Sequence, residues 1–196
     1  VKSGADVIVV DGMQGGTGAT QECFIEHVGI PTLPAVRMAA EALKELGMHR
    51  EGVQLIVSGG IRSGADVAKA IALGADAVSI GTAALIALGD NNPDLEEEYN
   101  KLGTTAGFYD EWQAGDDPAG ITTQDEKLAA RLDPKKGGEK LANYLKVLTL
   151  EAQTLARACG KSHIRNLEPE DLNALTLEAS AMAKVPLAGT DWIPGK

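Results

Sequence analysis

Val53-Gln54-Leu55-Ile56-Val57-Ser58-Gly59-Gly60-Ile61-Arg62-Ser63-Gly64-Ala65-Asp66-Val67 is the stretch on which the fold turns. An apolar, β-branched run over residues 53–57 stops at a pair of glycines, and an alanine-rich helical pattern over residues 65–73 follows. The same grammar holds on either side. Residues 6–10 form an apolar run whose end carries Gly12, Gly15, Gly16 and Gly18, ahead of a helical stretch at 33–46. Residues 77–80 run into Gly81, ahead of a helical stretch at 83–88. The phrases Ser3-Gly4-Ala5-Asp6-Val7-Ile8 and Leu73-Gly74-Ala75-Asp76-Ala77-Val78 are near copies, each with a helix-ending glycine before a strand. Nearly continuous apolar strands that alternate with helices predict a parallel sheet covered on its outer face, and residues 5–10 read as a buried strand. The predicted class is α/β, the C-terminal part of a TIM (β/α)8 barrel. Three βα units fall short of the eight strands and roughly 250 residues of a complete barrel. The pattern is already under way at Val1, so the expectation is a C-terminal piece of a longer protein, inactive alone, with apolar strand edges exposed.

Beyond residue 89 the character changes. Asp90-Asn91-Asn92-Pro93 is a stop signal, residues 95–102 read as a short acidic helix and 104–120 as a polar, glycine-bearing loop. Residues 135–158 predict a long amphipathic helix, with Leu141, Tyr144, Leu145, Leu148, Ala152, Leu155 and Ala156 on one side and Gly160 as its stop. Glu168-Pro169-Glu170-Asp171 predicts the start of another helix running to about residue 184, and residues 189–195 a packed tail. The expected organisation is residues 1–89 as barrel units, 90–134 as a loop-rich connector and 135–196 as a helical extension.

Composition removes several function classes. The 196 residues carry 28 acidic against 18 basic side chains, a net charge of −10, with no basic run. Such a surface repels phosphate backbones and anionic lipid, so nucleic acid and membrane are not expected partners. Cys23 and Cys159 lie far apart, and His27, His49 and His163 are scattered, so no metal site is expected. Cys23 and His27, four apart, make neither a metal site nor a triad by themselves; Cys159 is expected in the core and Glu96-Glu97-Glu98 on a solvated helix face. Lacking an apolar stretch of spanning length or a signal-like start, the chain is expected to be cytoplasmic.

Chemistry should lie where strands end in glycine. Ser58, Gly59 and Gly60 bring bare backbone to the end of one strand, and the helix start beyond them aims N–H groups at a phosphate. About twenty residues on, Gly81 and Thr82 repeat the arrangement, and two consecutive glycine-ended strands match the phosphate site after the last strands of a (β/α)8 barrel. Arg62 adds charge. Upstream, Asp11-Gly12-Met13-Gln14-Gly15-Gly16-Thr17-Gly18 offers exposed N–H groups without side-chain bulk, suited to a flat ring or a carboxylate. Its spacing is not that of a dinucleotide fingerprint.

These motifs carry a family resemblance. Gly15-Gly16-Thr17-Gly18-Ala19, Gly59-Gly60-Ile61-Arg62-Ser63-Gly64 and Gly81-Thr82-Ala83-Ala84-Leu85-Ile86-Ala87-Leu88-Gly89, in that order, resemble the C-terminal third of the FMN-binding barrel of the glutamate synthase large-subunit family. A weaker likeness continues through Asp117-Pro118-Ala119-Gly120-Ile121-Thr122-Thr123-Gln124. The resemblance implies FMN as cofactor, with Ser58, Gly59, Gly60, Arg62, Gly81 and Thr82 around its phosphate and Gly15, Gly16 and Thr17 near the flavin or the 2-oxo acid. It implies reduction of a 2-iminoglutarate-type intermediate, formed from 2-oxoglutarate and ammonia or an amine, in an assembly with amidotransferase-like and other subunits. No catalytic side chain is assigned.

The departures narrow the likeness. Where the family carries three cysteines for a 3Fe–4S cluster, the matching stretch offers Asp90, a position near Trp112, and Asp117, so no cluster is expected in this chain. Met13 and Gln14 replace the family's usual His and Asp, and Ser58 its usual Asp. This pattern resembles the cluster-free, glutamate-synthase-like subunit of the N-methylglutamate synthase type. Two alternatives remain: another phosphate-binding barrel enzyme, of the hydroxy-acid oxidase or IMP dehydrogenase kind, and a non-catalytic scaffold subunit.

Overall fold

A computed structural model describes residues 1–16, 22–90, 92–102 and 115–195. In chain order it contains β1 (Val7–Asp11), α1 (Glu22–His27), α2 (Thr32–Glu45), β2 (Gln54–Ser58), α3 (Gly64–Leu73), β3 (Ala77–Val78), α4 (Thr82–Leu88), α5 (Glu96–Leu102), α6 (Glu126–Ala129), α7 (Pro134–Ala158) and α8 (Leu177–Ala183). The chain divides into two compact units. The first holds residues 1–15, 29–79 and 148–196, and the second holds residues 16–28 and 80–147.

The first unit is built on a sheet of order β1-β2-β3, parallel throughout. Strands that neighbour one another in chain order, joined by helical crossovers, have the topology of consecutive units of a (β/α)8 barrel. A doubly wound sheet would reverse its strand order. Register pairs Val7 with Gln54, Val9 with Ile56 and Asp11 with Ser58, and it pairs Ile56 with Ala77. These residues therefore share one face, and Ile8, Val10, Leu55, Val57 and Val78 share the other. Among the described residues, helices pack on the second face: α2 on β1 and β2, and α3 on β3. Leu55, Val57, Val36, Ala40 and Ile71 are buried there. Each such large aliphatic side chain contributes on the order of 1.5–3 kcal/mol by leaving water.

The expectation of a buried first strand fails on the opposite face. Val7 and Val9 are 47% and 60% exposed. β1 is an edge strand, and no layer of described residues packs on its Val7/Val9 side, so an apolar sequence is not matched by burial.

Helix boundaries follow local chemistry. Ser63 and Asp66 form a reciprocal capping box at the start of α3, and Gly74 ends that helix at φ 121°, a conformation that glycine adopts without a Cβ clash. Asp76, in the phrase repeated from residues 3–8, accepts the Leu55 amide at 2.9 Å and thereby aligns β3 on β2.

The rest of the first unit is the extension from Leu148 onward. The helix expected from Glu168 to residue 184 is interrupted: Pro169–Asp171 makes a single 3-10 turn, and α8 starts only at Leu177, capped by the Thr176 hydroxyl. Between them Ala174 pairs with Leu187 as an isolated parallel bridge, with Ala174 N–H donating to Pro186 O at 2.8 Å. That tertiary pairing outcompetes helix continuation. Cys159, expected in the core, is exposed because α7 ends at Ala158 and Gly160 turns the chain away.

In the second unit, Tyr99 is buried and its hydroxyl lies 2.8 Å from Asp90 Oδ1 and 3.3 Å from Asp117 Oδ1. Asp117 also accepts the amides of Ala119, Ile121 and Thr122 at 2.9, 2.7 and 2.8 Å. Asp125 caps α6, and Arg131 bonds Glu98 and the carbonyl of Pro118. Glu96 and Glu97 lie on the solvated face expected of them, whereas Glu98 is half-buried in that ion pair. Among the described residues no helix is long and apolar enough to cross a membrane.

Candidate functional site

Parallel strands deliver their C-terminal ends to one edge, so the chain leaves the sheet there after Asp11, Ser58 and Val78. Two loops meet at that edge. Gly12 N–H donates to Ser58 O at 3.0 Å, Met13 N–H to Ile30 O at 2.9 Å, and Gly15 N–H to Gly12 O at 2.8 Å. Gln14 Oε1 accepts both the amide and the hydroxyl of Thr32, each at 2.8 Å. Thr32 is thereby wedged beside the glycines. A Cβ on Gly12 would strike it, and a Cβ on Gly59 would lie 2.5 Å from its Oγ1, 3.1 Å from Gly15 N and 3.2 Å from Gly12 O. A Cβ on Gly60 would come 3.2 Å from Gln14 Cβ.

The structure thus brings Gly15, Ser58, Gly59 and Gly60 together, with Gly12, Gln14 and Thr32 as their supports. Gly59 and Gly60 stand at φ 112° and 73°, where L side chains are strained. Among the described residues, no acceptor is recorded for the amides of Gly59, Gly60 and Ile61. Bare main-chain donors of this kind, held rigid from behind, fit an anionic oxygen group.

The start of α3 is a different matter. The expectation that its first amides aim at a phosphate meets two carboxylates already in place. Asp66 Oδ2 takes the amides of Arg62 and Ser63, each at 3.1 Å, and Glu151 Oε2 takes that of Gly64 at 2.6 Å. The donors without an acceptor among the described residues lie just before this helix start, at residues 59–61. Arg62 is exposed.

Gly16, Gly81 and Thr82 belong to the second unit. Gly81 caps α4 with φ −121°, and nothing lies within 4 Å of where its Cβ would be. Thr82 is exposed at the first turn of α4. Thr17 lies outside the described residues.

Thr32 and Glu151 are the contributors that sequence reading missed. Thr32 follows Pro31 at a helix start, a local signal that could have flagged it; Glu151 has none, being 87 residues from its partner. Of the positions that the resemblance equates with cluster cysteines, Asp90 and Asp117 converge on the Tyr99 hydroxyl, and Trp112 lies outside the described residues. Among the described residues no group of three or more His, Cys, Asp or Glu side chains could hold a metal ion.

Comparison with known proteins agrees with the loop motifs. The family described as "Conserved region in glutamate synthase" matches residues 1–92 and 113–162. A "Glutamate synthase large subunit-like protein" of Rhizobium meliloti is 74% identical over all of this chain, which spans 44% of that protein. An "Archaeal glutamate synthase [NADPH]" of Methanocaldococcus jannaschii is 43% identical over 84% of this chain and 29% of its own length. The chloroplastic ferredoxin-dependent glutamate synthase of Oryza sativa subsp. japonica is 34% identical over 80% of this chain and 8% of its own length. The chain therefore spans less than half of each of these relatives. Among solved structures, a mutant flavocytochrome b2 with pyruvate bound aligns with 96% of this chain and 37% of its own at 19% identity and a TM-score of 0.45.

Proposed function

Because the chain belongs to the glutamate synthase family, we propose that it supplies the phosphate-holding part of an FMN barrel in a cytoplasmic oxidoreductase subunit. That subunit would reduce a 2-iminoglutarate-type intermediate to glutamate or an N-substituted glutamate. The observation that carries the reading is the pair Gly59 and Gly60, at positive φ with amides that have no acceptor among the described residues, backed by Gly12, Gly15, Gln14 and Thr32 at the C-terminal edge of a parallel sheet. When bound, FMN supplies the hydride chemistry, and the protein's share is position and electrostatics.

The residues would divide that share as follows. Main-chain N–H groups of Gly59, Gly60 and Ile61 donate to phosphate oxygens and Arg62 lends charge; Gly81 and Thr82, in the second unit, are phosphate positions on the strength of the family resemblance alone. The resemblance assigns Gly15, Gly16 and Thr17 to the flavin or the 2-oxo acid, and at Gly15 the missing side chain would let a flat ring approach the backbone. Gln14 holds that loop by accepting the amide and hydroxyl of Thr32 at its carbonyl oxygen, and so acts as a support. Substrates would be 2-oxoglutarate with ammonia or an amine, and amidotransferase-like subunits would be partners. Aspartates in place of thiolates at positions 90 and 117 favour a subunit without its own iron–sulfur cluster, of the N-methylglutamate synthase type.

The test uses the complete protein. It should be yellow as purified, release FMN on denaturation, contain no iron or acid-labile sulfide bound by this region, and turn over 2-oxoglutarate with ammonia or methylamine in the assembled complex. A complete protein that neither contains nor takes up FMN refutes the reading. FMN binding without turnover with either amine would select the scaffold alternative.

A further inference from the structure

We infer that Glu151, far down the chain on α7, is a positioning residue for the β2–α3 loop, an inference that rests on the phosphate reading of residues 59–61 proposed above. Its carboxylate oxygen accepts the Gly64 amide at 2.6 Å, the shortest bond at this end of the sheet. Gly64 is buried, and α7 passes so close that a Cβ there would lie 2.6 Å from both Ala152 N and Glu151 Cβ. The start of α3 is therefore fitted against α7 main chain to main chain, with no side chain between them.

The loop between β2 and α3 has two fixed ends. The strand ladder sets its entry at Ser58, and Glu151 sets its exit at Gly64. Between them lie the strained glycines, which have no side chains with which to hold their own conformation. A carboxylate at a helix N-terminus interacts favourably with the macrodipole as well as with the single amide.

The same stretch of chain also grips the far end of α3. Arg165 pairs with Asp76 at 2.9 Å, and Arg50 donates to Arg165 O at 2.9 Å and to Ile71 O, in the last turn of α3, at 3.0 Å. Residues 151–165 thus strap α3 at both ends, so the helix cannot slide along its axis and carry the loop with it. Asp66 faces the same helix start and has its Oδ2 committed to the amides of Arg62 and Ser63 and the hydroxyl of Ser63. It leaves Gly64 to Glu151 alone.

The experiment compares FMN with riboflavin, which has the same ring and no phosphate, in the complete protein and in Glu151→Ala and Glu151→Gln. The expected result for Glu151→Ala is FMN binding weakened about tenfold, the equivalent of one charge-assisted hydrogen bond, with riboflavin binding unchanged. Glu151→Gln keeps an acceptor oxygen facing Gly64 and should recover most of the loss, to within about twofold of the parent. If Glu151→Ala does not fold, the Gln variant still carries the test, because its small deficit must be confined to FMN. FMN and riboflavin weakened in parallel, or FMN binding untouched in both variants, overturns the inference. A parent protein that binds riboflavin as tightly as FMN overturns instead the phosphate reading on which it stands.

Discussion

Gly59→Ala and Gly81→Ala look alike in sequence, since each changes a glycine that follows a strand, yet the structure assigns them opposite costs. At Gly59 the backbone sits at φ 112°, and a Cβ would stand 2.5 Å from Thr32 Oγ1. Holding an alanine in that conformation costs about 1–3 kcal/mol. Pushing Thr32 off its two bonds to Gln14 adds about 1–3 kcal/mol of overpacking. The narrower unfolded ensemble of alanine returns about 0.4–1 kcal/mol. The balance is a local destabilisation of about 1–6 kcal/mol, which corresponds to amide exchange in the 53–61 peptide faster by at least about fivefold. At Gly81, φ is −121° and nothing lies within 4 Å, so the same substitution should stay within about 0.5 kcal/mol. Hydrogen exchange followed by mass spectrometry on the complete protein reads both. A double variant, Gly59→Ala with Thr32→Ala, removes the clash and leaves the backbone strain, so its cost should fall below the sum of the singles by about 1–2 kcal/mol. Exchange at residues 53–61 unchanged in Gly59→Ala would refute the packing argument, and strict additivity in the double variant would refute the role given to Thr32.

Two further outcomes follow from the ion and hydrogen-bond networks. Tyr99→Phe removes the hydroxyl that lies between Asp90 and Asp117 in the buried heart of the second unit. It should cost about 1–3 kcal/mol, read as earlier proteolysis or faster exchange over residues 115–123, and an unchanged segment there would show that the three amides on Asp117 suffice by themselves. Lys161 has its pKa raised from the ordinary lysine value, chiefly by its hydrogen bond to Glu168; burial opposes this, and Asp171 adds to the rise through a further hydrogen bond and its charge. A raised folded pKa means the contribution is fully present below the unfolded value and lost as pH rises through the folded one. Melting temperature should therefore fall more steeply above about pH 10 in the parent than in Lys161→Gln, and parallel alkaline profiles would remove Lys161 from the account.

The sequence carried the parallel strands, the glycine-ended loops and the long α7 because each of these is written in a contiguous stretch. Residues 53–64 hold a β-branched run, two glycines and a capping serine within a dozen positions, and the structure reproduces that order as β2, loop and α3. Burial was less legible. Val7 and Val9 have the composition of core residues, but exposure depends on what covers the sheet face, and an apolar pattern is silent about the covering layer. The stretch 168–184 departs from its sequence pattern for a related reason. Its first turn carries proline and acids in the positions a helix favours, whereas the pairing of Ala174 with Leu187 that interrupts it is a contact between distant residues.

The candidate site shows the same divide at atomic scale, and there it has a consequence for how the family's glycine motifs are interpreted. A glycine-glycine run before a helix invites the conclusion that the helix start binds the anion. In this chain the amides of Arg62, Ser63 and Gly64 are consumed, two by Asp66 and one by Glu151, and the second of those carboxylates comes from the far end of the chain. Adding a phosphate to that helix start would put three anionic groups on one helix terminus, whose dipole offers only about half a positive charge. Coulomb repulsion then disfavours the helix start and leaves the preceding loop, whose donors at Gly59, Gly60 and Ile61 have no acceptor among the described residues, as the place where an anion gains rather than displaces hydrogen bonds. The motif marks the neighbourhood of the site, and a carboxylate remote in sequence decides which of its amides are open.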